Sequence, residues 1–376
     1  MSYKSMLLLA AAALVPSGAI AQTPAPLTLG EAEYYTAPAV NYLVFSNWYD
    51  GLFADSKISG VEIIQQDSRI ATNGDVRLSA TPGQWDATGR LIDRHVNRDT
   101  GVIEAELEYP DQDFRYTIRA EPVGDAMRIS VILPRALPTA LVGKAGFNLE
   151  FIPSAYFHKS YIVDGKAGAF PLYPAGAMVR TDARNAASGR DDGPGAEPLP
   201  TAKGRNFVLA PSDPARRVTI RSDRPVALYD GRNQAQNGWF VLRSELPAGK
   251  VGTVLSWTVE ANSVPGWVRP PSIGHSQLGY APDQSKIATI EVDRNDARRP
   301  DIRLLRIDAS GEEKVVKAGK PDDWGNYLRY HYLRFDFSDV TEPGLYTLGY
   351  GDIRTAPFRI AADLYADAWH PTLDVY

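Results

Sequence analysis

The sequence predicts an all-β protein, with a large antiparallel β-sandwich followed by an immunoglobulin-like β-sandwich and a short C-terminal helix stub. Apolar and polar residues alternate with a period of two in segment after segment, and no long helical period interrupts them. The 31 glycines and 28 prolines favour many turns and short elements. With 376 residues, the chain is long enough for two or three domains of about 100–200 residues each.

The N-terminal residues 1–21 have the three parts of a secretory signal peptide. Lys4 is followed by an apolar run over residues 6–15 and by the small-residue pattern Ala19-Ile20-Ala21. We expect cleavage after Ala21 and export to the periplasm or the extracellular space. The alternative, a buried N-terminal helix, fits this pattern less well. No apolar run reaches the roughly 20 residues that a membrane span needs, so no membrane partner is expected.

Composition excludes several classes of function. A net charge of −5 argues against nucleic acid as a partner, because binding phosphates needs a basic surface. The chain has no cysteine, which excludes disulfides, thiolate metal sites and cysteine nucleophiles. Its five histidines are scattered without zinc-ligand spacing, and no glycine-rich phosphate loop occurs. We therefore expect neither a metal site nor a cofactor.

The first domain is predicted over residues 22–271. Alternation is clearest over 102–109 and continues over 114–120 and 127–133, which predicts three consecutive antiparallel strands. Asn73-Gly74 and the turn at residues 99–101 supply the residue types of hairpin turns. The stretch 184–203 lacks periodicity and is predicted to be a surface loop. Proline signals at 265–266 and 270–271 indicate the domain boundary.

The second domain is predicted over residues 272–362. Its pattern of short strands in roughly ninety residues is typical of an immunoglobulin-like sandwich. Pro343-Gly344 predicts a turn, and the Tyr346 hydroxyl is predicted to bond back to the preceding loop as a tyrosine corner. The clearest strand candidates are 286–292, 302–307, 330–337, 345–350 and 357–360.

Four spaced motifs of this domain carry a resemblance to a known family. They are Ser276-Gln277-Leu278-Gly279-Tyr280-Ala281-Pro282, Asp336-Phe337-Ser338, Pro343-Gly344-Leu345-Tyr346 and Pro357-Phe358-Arg359-Ile360. Together they resemble the N-terminal immunoglobulin-like domain of glycoside hydrolase family 9, although Ser276 stands where that pattern usually has Asn. Residues 27–269 look like the extra β-sandwich that some bacterial members carry ahead of this domain.

The resemblance implies a role for this chain, but the chain departs from the family pattern in its catalytic motifs. Family members continue into an (α/α)6 catalytic barrel with a D-A-G-D type motif and a late glutamate, neither of which can be matched here. Residues 363–376 look like the start of a truncated catalytic domain, because Leu364, Tyr365, Ala368 and Trp369 form an apolar stripe at helical spacing. The implied partners are the missing catalytic barrel of the same polypeptide and a β-glucan or related oligosaccharide.

Exposed aromatic rings are the candidate carbohydrate contacts, since a sugar's apolar face can stack on them. The candidates lie among turn residues, and packing beneath a turn is the alternative role of each. They are Trp48, Tyr49, Trp85 and Trp324. Trp257 and Trp239 are instead expected to pack in the core or on a sheet.

The adjacent acidic residues and the possible nucleophile are not interpreted as catalytic groups. Asp191-Asp192 and Asp322-Asp323 are predicted to be solvated turn residues, because neighbouring residues of extended chain point opposite ways and make a poor catalytic dyad. A calcium site at the second pair is the alternative. The segment His158-Lys159-Ser160 with Asp164 holds a base, a hydroxyl and an acid without a nucleophile-elbow motif. Catalytic residues are therefore not assigned.

The sequence leads to the hypothesis of a non-catalytic N-terminal portion of a secreted, cellulase-like glycoside hydrolase. Its two domains would support the catalytic barrel and its cleft, while hydrolysis of β-glucan would be carried out by the parent protein. The alternative is a self-contained carbohydrate-binding or surface-adhesion β-sandwich protein.

Overall fold

The structure is a computed structural model of the chain. It describes residues 25–51, 54–82, 87–174, 176–181, 195–233, 238–327, 330–366 and 368–370. The predicted signal peptide, residues 1–21, lies outside the described residues. The chain divides into two compact units, one over 1–65 and 69–265 and the other over 66–68 and 266–376. Within the described ranges, no helix has both the length and the apolar character needed to cross a membrane.

The first unit is built almost entirely from antiparallel strands. One short helix, α1, spans Pro153–Tyr156, and single 3-10 turns lie at Pro110–Gln112, Thr139–Leu141 and Gly231–Asn233. Its strands are β1 (Thr28–Leu29), β2 (Tyr35–Ala37), β3 (Val40–Val44), β4 (Trp48–Gly51), β5 (Ala54–Ile58), β6 (Val61–Gln65), β7 (Ser68–Arg77), β8 (Arg90–Asn97), β9 (Val102–Tyr109), β10 (Phe114–Val123), β11 (Ala126–Leu133), β12 (Gly146–Phe151), β13 (Ser160–Val163), β14 (Lys166–Ala169), β15 (Met178–Thr181), β16 (Gly195–Pro198), β17 (Ala202–Leu209), β18 (Val218–Asp230), β19 (Phe240–Glu245) and β20 (Gly252–Ala261).

One large sheet forms the body of this unit. Its main strand order is β1-β2-β3-β6-β7-β12-β19-β18-β20-β11-β10-β9-β8. The 13-residue strand β18 pairs with β20 over its first half, with β19 over its second half and with β17 along both. The hydroxyl of Tyr35 on β2 donates to the carbonyl of Ala120 on β10, 2.7 Å away, although the two strands are far apart in the sheet order. The sheet therefore folds back on itself and closes a sandwich.

The core of the first unit confirms the period-two prediction. Ile103, Ala105 and Leu107 on β9 are fully buried and face Tyr116, Ile118 and Ala120 of the next strand. These strands follow one another as predicted, with β10 extending to Val123. Trp257 is also fully buried, as predicted, and its Nε1 donates to the Ser244 hydroxyl at 3.0 Å.

The predicted hairpin turn at Asn73-Gly74 is wrong. Strand β7 runs without a break from Ser68 to Arg77, and its pairing with β12 shifts register between Asn148 and Glu150. Asn73 adopts the left-handed conformation that its short polar side chain tolerates, with φ of 54°, and this forms a bulge within the strand. The hairpin between β6 and β7 instead turns at Gln66 and Asp67, both of which have positive φ. The turn predicted at residues 99–101 does join β8 to β9.

The stretch 184–203 is only partly described. Strand β16 and the first residues of β17 lie inside it, so its described part is not the structureless loop that the lack of periodicity predicted. β16 pairs with β15 as a two-stranded ribbon. Strand β16 has four residues, the shortest length over which an alternation can be recognised, which explains the missing pattern.

The second unit has the two facing sheets of an immunoglobulin-like sandwich. One sheet has the order β21-β22-β26-β25 and the other has the order β24-β23-β27-β28, with β29 also paired to β27. The bounds are β21 (Ser272–Gly274), β22 (Ile287–Asp293), β23 (Ile302–Ile307), β24 (Glu313–Gly319), β25 (Asp322–Tyr327), β26 (Tyr330–Asp336), β27 (Gly344–Tyr350), β28 (Ile353–Arg354) and β29 (Phe358–Ile360). All five predicted strands are present, while β21, β24, β25 and β28 were not predicted.

Alternate residues of both sheets meet in a single core. Ala288, Ile290 and Val292 on β22 face Leu304 and Leu348 of the other sheet among the buried residues. The predicted fold class, all-β with a large sandwich followed by an immunoglobulin-like one, is therefore confirmed. Of the predicted helix stub, residues 363–365 form a turn, and residues 367 and 371–376 lie outside the described residues.

Candidate functional site

The family-like motifs of the second unit form its packing rather than a reactive site. Gly279 has φ of 105°, and a Cβ at this position would lie 2.0 Å from the carbonyl oxygen of Arg359. Only glycine allows the two backbones to approach this closely. The neighbouring Tyr280 is buried, its backbone N–H donates to the same oxygen at 2.9 Å, and its ring packs edge-on against Phe337 and Phe358. The motif therefore anchors the start of the domain to its last strand.

The other motifs also secure the ends of strands. Ser338 accepts a hydrogen bond from the backbone N–H of Lys286 at 2.9 Å through its hydroxyl. The Lys286 side chain is fully buried, and its ammonium group donates to the carbonyls of Pro282 at 2.8 Å and Gln284 at 2.7 Å. The Tyr346 hydroxyl donates to the carbonyl of Glu342 at 2.7 Å. The predicted tyrosine corner is thus confirmed.

Trp324 lies on an edge strand and not in a turn, which corrects the sequence prediction. It falls within β25, where pairing with β26 shifts register between Asp323 and Gly325. The bulge explains why the segment has the glycine and aspartates of a turn. The side chain of Trp324 is 53% exposed. Of the four predicted carbohydrate contacts, this is the one whose side chain the structure describes.

The side chains of the other three candidate carbohydrate contacts are not described by the structure, so they cannot be placed relative to Trp324. Trp48 and Tyr49 lie on β4, which pairs with β5, but their side chains are outside the description. Trp85 lies outside the described residues altogether. Their role as carbohydrate contacts stays a prediction.

Three tyrosines that the sequence analysis did not single out accompany Trp324. Tyr330 and Tyr332 alternate along β26 with the core residues Leu333 and Phe335, so they point to the outer side of the sheet. Tyr327 pairs directly with Tyr330 and is 58% exposed. We call Trp324, Tyr327, Tyr330 and Tyr332 the aromatic face. The alternation in residues 330–336 was recognised as a strand, but only the pairing with β25 brings these four rings to one side.

Polar groups frame the aromatic face. The Trp324 and Tyr332 rings meet edge to face at 6.0 Å, and the Tyr332 hydroxyl donates to Glu291 Oε2 at 2.8 Å. This hydrogen bond to a carboxylate raises the pKa of Tyr332. Arg269 pairs with Glu291 Oε1 at 2.8 Å and lies over the Tyr330 ring at 4.8 Å. The rings are therefore held by side-chain contacts and not only by the backbone.

A shallow groove of about 430 Å³ lies elsewhere in the second unit. Its polar lining comes from His275, Gln277, Arg354 and Thr355. His275 also stacks obliquely on Phe358 at 5.0 Å, and Arg354 pairs with Glu313 at 2.9 Å. Its volume lies within the range of small-molecule sites, but its lining is already paired with other parts of the module.

The acidic and nucleophilic candidates do not converge. Asp323 contacts His331 Nε2 at 3.1 Å, whereas Asp322 pairs in register with Arg334 on β26. Both are exposed as predicted, but they occupy a strand and not a turn. Asp191-Asp192 lies outside the described residues. Within the described ranges, no three histidine or acidic side chains come close enough together to hold a metal ion.

Two residues of the segment near residue 160, Lys159 and Asp164, have structural tasks. Lys159 pairs with Asp213 at 2.6 Å. Asp164 accepts hydrogen bonds from the backbone N–H groups of Arg205 and Asn206, which lower the pKa of its carboxyl. Lys159 and Asp164 therefore connect loops through these contacts.

A buried charged pair lies in the first unit. Asp75 and Arg77 on β7 are both buried, with Oδ2 and Nη1 3.6 Å apart, and the Tyr116 hydroxyl donates to Asp75 Oδ1 at 2.8 Å. Burial raises the pKa of the Asp75 carboxyl to about 6, a shift that Arg77 and Tyr116 limit. In register, Asp75 pairs with Asn148, whose Oδ1 accepts a 2.6 Å hydrogen bond from Arg243. This row of buried polar groups spans three adjacent strands, β7, β12 and β19.

Comparison with known proteins supports the motif assignment. Residues 269–355 match the family model of the cellulase N-terminal ig-like domain. Comparison with curated proteins gave no match.

Among solved structures, the chain is similar to a metagenome-derived glycoside hydrolase family 9 endoglucanase. The identity is 24%, with 27% of this chain and 19% of that chain covered, at a TM-score of 0.24. A Bacteroides ovatus GH9 protein shows 29% identity over 27% of this chain and 18% of that chain, with a TM-score of 0.21. The GH family 9 endoglucanase J30 shows 26% identity over 22% and 14%, with a TM-score of 0.18.

The chain thus spans less than a fifth of the length of each of these solved structures. The assignment rests on the family model together with the buried motif residues, since TM-scores this low add no argument of their own. Residues 269–355 are accordingly a cellulase-type N-terminal immunoglobulin-like domain, the module that the sequence motifs predict for the N-terminal region of a family 9 glycoside hydrolase.

Proposed function

We propose that this chain is the non-catalytic N-terminal portion of a secreted family 9 glycoside hydrolase. In this proposal its modules support a catalytic barrel, supplied by the same polypeptide, that hydrolyses β-glucans. The observation that carries the proposal is the match of residues 269–355 to the cellulase N-terminal ig-like domain. The N-terminal succession of Lys4, an apolar run and Ala19-Ile20-Ala21 supports export.

The way the motif residues are used supports a structural role for the module. Gly279, Tyr280 and Tyr346 are committed to close packing and to hydrogen bonds within it. Inverting hydrolysis instead needs two carboxyl groups facing each other about 6.5–9.5 Å apart across a cleft. The exposed aspartates of β25 are engaged with His331 and aligned with Arg334. We therefore assign cleavage to a domain that follows this module.

The test compares two soluble proteins on the same substrates. One is residues 22–376 and the other is the same sequence extended by the codons that follow residue 376 in its gene. Release of reducing ends from barley β-glucan and carboxymethylcellulose is expected from the extended protein only. Turnover by residues 22–376 would refute the assignment, and so would a following sequence that is not helical.

Secretion is tested separately from catalysis. The full chain is expressed with its own N-terminus in a bacterium, and the periplasmic and cytosolic fractions are analysed by mass spectrometry. The proposal expects a periplasmic product that begins at Gln22. A cytosolic product that retains residues 1–21 would contradict export without affecting the assignment of the module.

A further inference from the structure

We propose that the aromatic face of the second unit binds a neutral polysaccharide chain, with Trp324 and Tyr327 as its stacking surfaces. This inference goes beyond the support role proposed above and does not depend on it. It would hold equally for a self-contained binding protein, because all four rings of the aromatic face lie on two paired strands of one sheet.

Exposure is the first reason. Trp324 and Tyr327 are 53% and 58% exposed, whereas the Phe335 ring on the neighbouring strand of the same sheet is only 5% exposed. Large aromatic groups that stay in water beside one another usually mark an interaction site, because their burial would otherwise stabilise the fold. Four rings on two neighbouring strands form such a cluster here.

Preorganisation is the second reason. The Trp324 ring rests edge-on against Tyr332, and Tyr332 is held by its 2.8 Å hydrogen bond to Glu291. Arg269 in turn pairs with Glu291 and covers the Tyr330 ring. Side chains that are already fixed lose little conformational entropy when a ligand arrives. Trp324, Tyr330 and Tyr332 are therefore held in place before a ligand arrives.

The charges around the face favour an uncharged, hydroxyl-rich ligand. Glu291 and Asp67 both pair with Arg269, and Asp323 contacts His331 at 3.1 Å. Exposed Arg334 and Asp322 lie opposite each other in register at the edge of the face. A donor and an acceptor of opposite charge suit hydroxyl groups, whereas a polyanion would be repelled by the carboxylates of Asp67, Glu291 and Asp322. The pattern of apolar rings with a few polar groups is typical of small-molecule sites.

The shape of the edge strand argues against a protein partner that adds a strand. β25 is the last strand of its sheet, so its outer backbone groups face away from the sheet. It carries a bulge at Trp324 and the charged pair Asp322-Asp323, the devices that block strand addition at an edge. A chain that stacks on the face, and does not pair with the edge, fits this geometry.

The test measures glycan affinity with residues 22–376. Native affinity electrophoresis is run in gels that contain hydroxyethylcellulose, barley β-glucan, laminarin, xylan or dextran, and titration calorimetry then uses the corresponding hexaose. We expect retardation by at least one of these glycans and a dissociation constant that Trp324→Ala raises about tenfold or more. Tyr327→Ala is expected to act in the same direction, and Trp324→Tyr is expected to restore part of the affinity.

Trp369→Ala is the matched control, because Trp369 is 51% exposed but lies outside the aromatic face. It should bind as tightly as the native protein. The proposal is overturned if the native protein is not retarded by any of the glycans, or if both tryptophan variants bind alike. It is also overturned if Trp324→Ala leaves glycan binding intact and instead weakens association with the polypeptide that follows residue 376. If Trp324→Ala shows no thermal unfolding transition, it is not folded, and the binding of Trp324→Tyr and Tyr327→Ala decides the test.

Discussion

Replacing Gly279 with alanine tests why the motif of the second unit contains a glycine. Its φ is 105°, and the added Cβ would lie 2.0 Å from the Arg359 carbonyl oxygen, 2.9 Å from its carbon and 3.0 Å from its nitrogen. All three atoms belong to the backbone of β29, so no side-chain rotation relieves the contact. Either Arg359 moves or residue 279 leaves its conformation, and both changes break the 2.9 Å hydrogen bond from the Tyr280 N–H.

The cost follows from these contacts. A non-glycine residue held at such a φ costs about 1–3 kcal/mol. Displacing a packed backbone segment adds about 1–3 kcal/mol, and a lost backbone hydrogen bond adds about 1 kcal/mol. We therefore expect Gly279→Ala to lower the free energy of unfolding of the second unit by roughly 3–7 kcal/mol. For a domain of this size the unfolding midpoint would fall by roughly 15 °C or more.

Differential scanning calorimetry of residues 22–376 measures the effect. Gly311→Ala is the control, because Gly311 also has positive φ, 86°, while no atom lies within 4 Å of the position of its Cβ. It should cost about 1–2 kcal/mol, from backbone conformation alone. Equal losses of stability in the two variants would refute the close approach as the reason for this glycine.

Three further predictions address other parts of the fold. Asp75→Asn should remove a pH dependence: the folded pKa of about 6 lies above the ordinary value of 3.8, so Asp75 contributes stability below about pH 4 that is lost as the pH rises through 6. Native stability should fall relative to the variant by about 2 kcal/mol between pH 4.5 and 7.5 in urea unfolding, and parallel curves would contradict this. Tyr346→Phe, which removes the 2.7 Å bond to Glu342, should cost the second unit about 1 kcal/mol in calorimetry. Trp257→Ala should destabilise the first unit by about 3–5 kcal/mol and leave in place the transition that Gly279→Ala shifts; a shift of one common transition by both variants would show that the units do not unfold separately.

Much of the fold could be predicted because alternation along a strand is a local property. Ile103, Ala105 and Leu107 occupy every second position of their strand, so they lie on the same face of the sheet, and this face is buried. The tyrosine corner was predictable too, since Tyr346 and its acceptor Glu342 are four residues apart in the chain. The bulge at Asn73 was not predictable, because the residue types of a hairpin turn and of a bulge are the same.

The candidate site depended on pairing between strands. Trp324 was recognised as an exposed ring, but Tyr327, Tyr330 and Tyr332 joined it only through the register of β25 against β26. A shift of β25 by one residue would have turned Tyr327 to the opposite side of the sheet from Tyr330 and Tyr332, and nothing in the local sequence states that register.

By itself, the sequence determined the all-β class, the core positions of the predicted strands and the family-like motifs, because each depends on residues close together in the chain. Only the tertiary structure decided that Gly279 lies against Arg359, that Asp75 is buried beside Arg77 and that four aromatic rings share one face. These are contacts between segments distant in sequence or between paired strands, and their energies depend on distance and burial, which residue order does not contain.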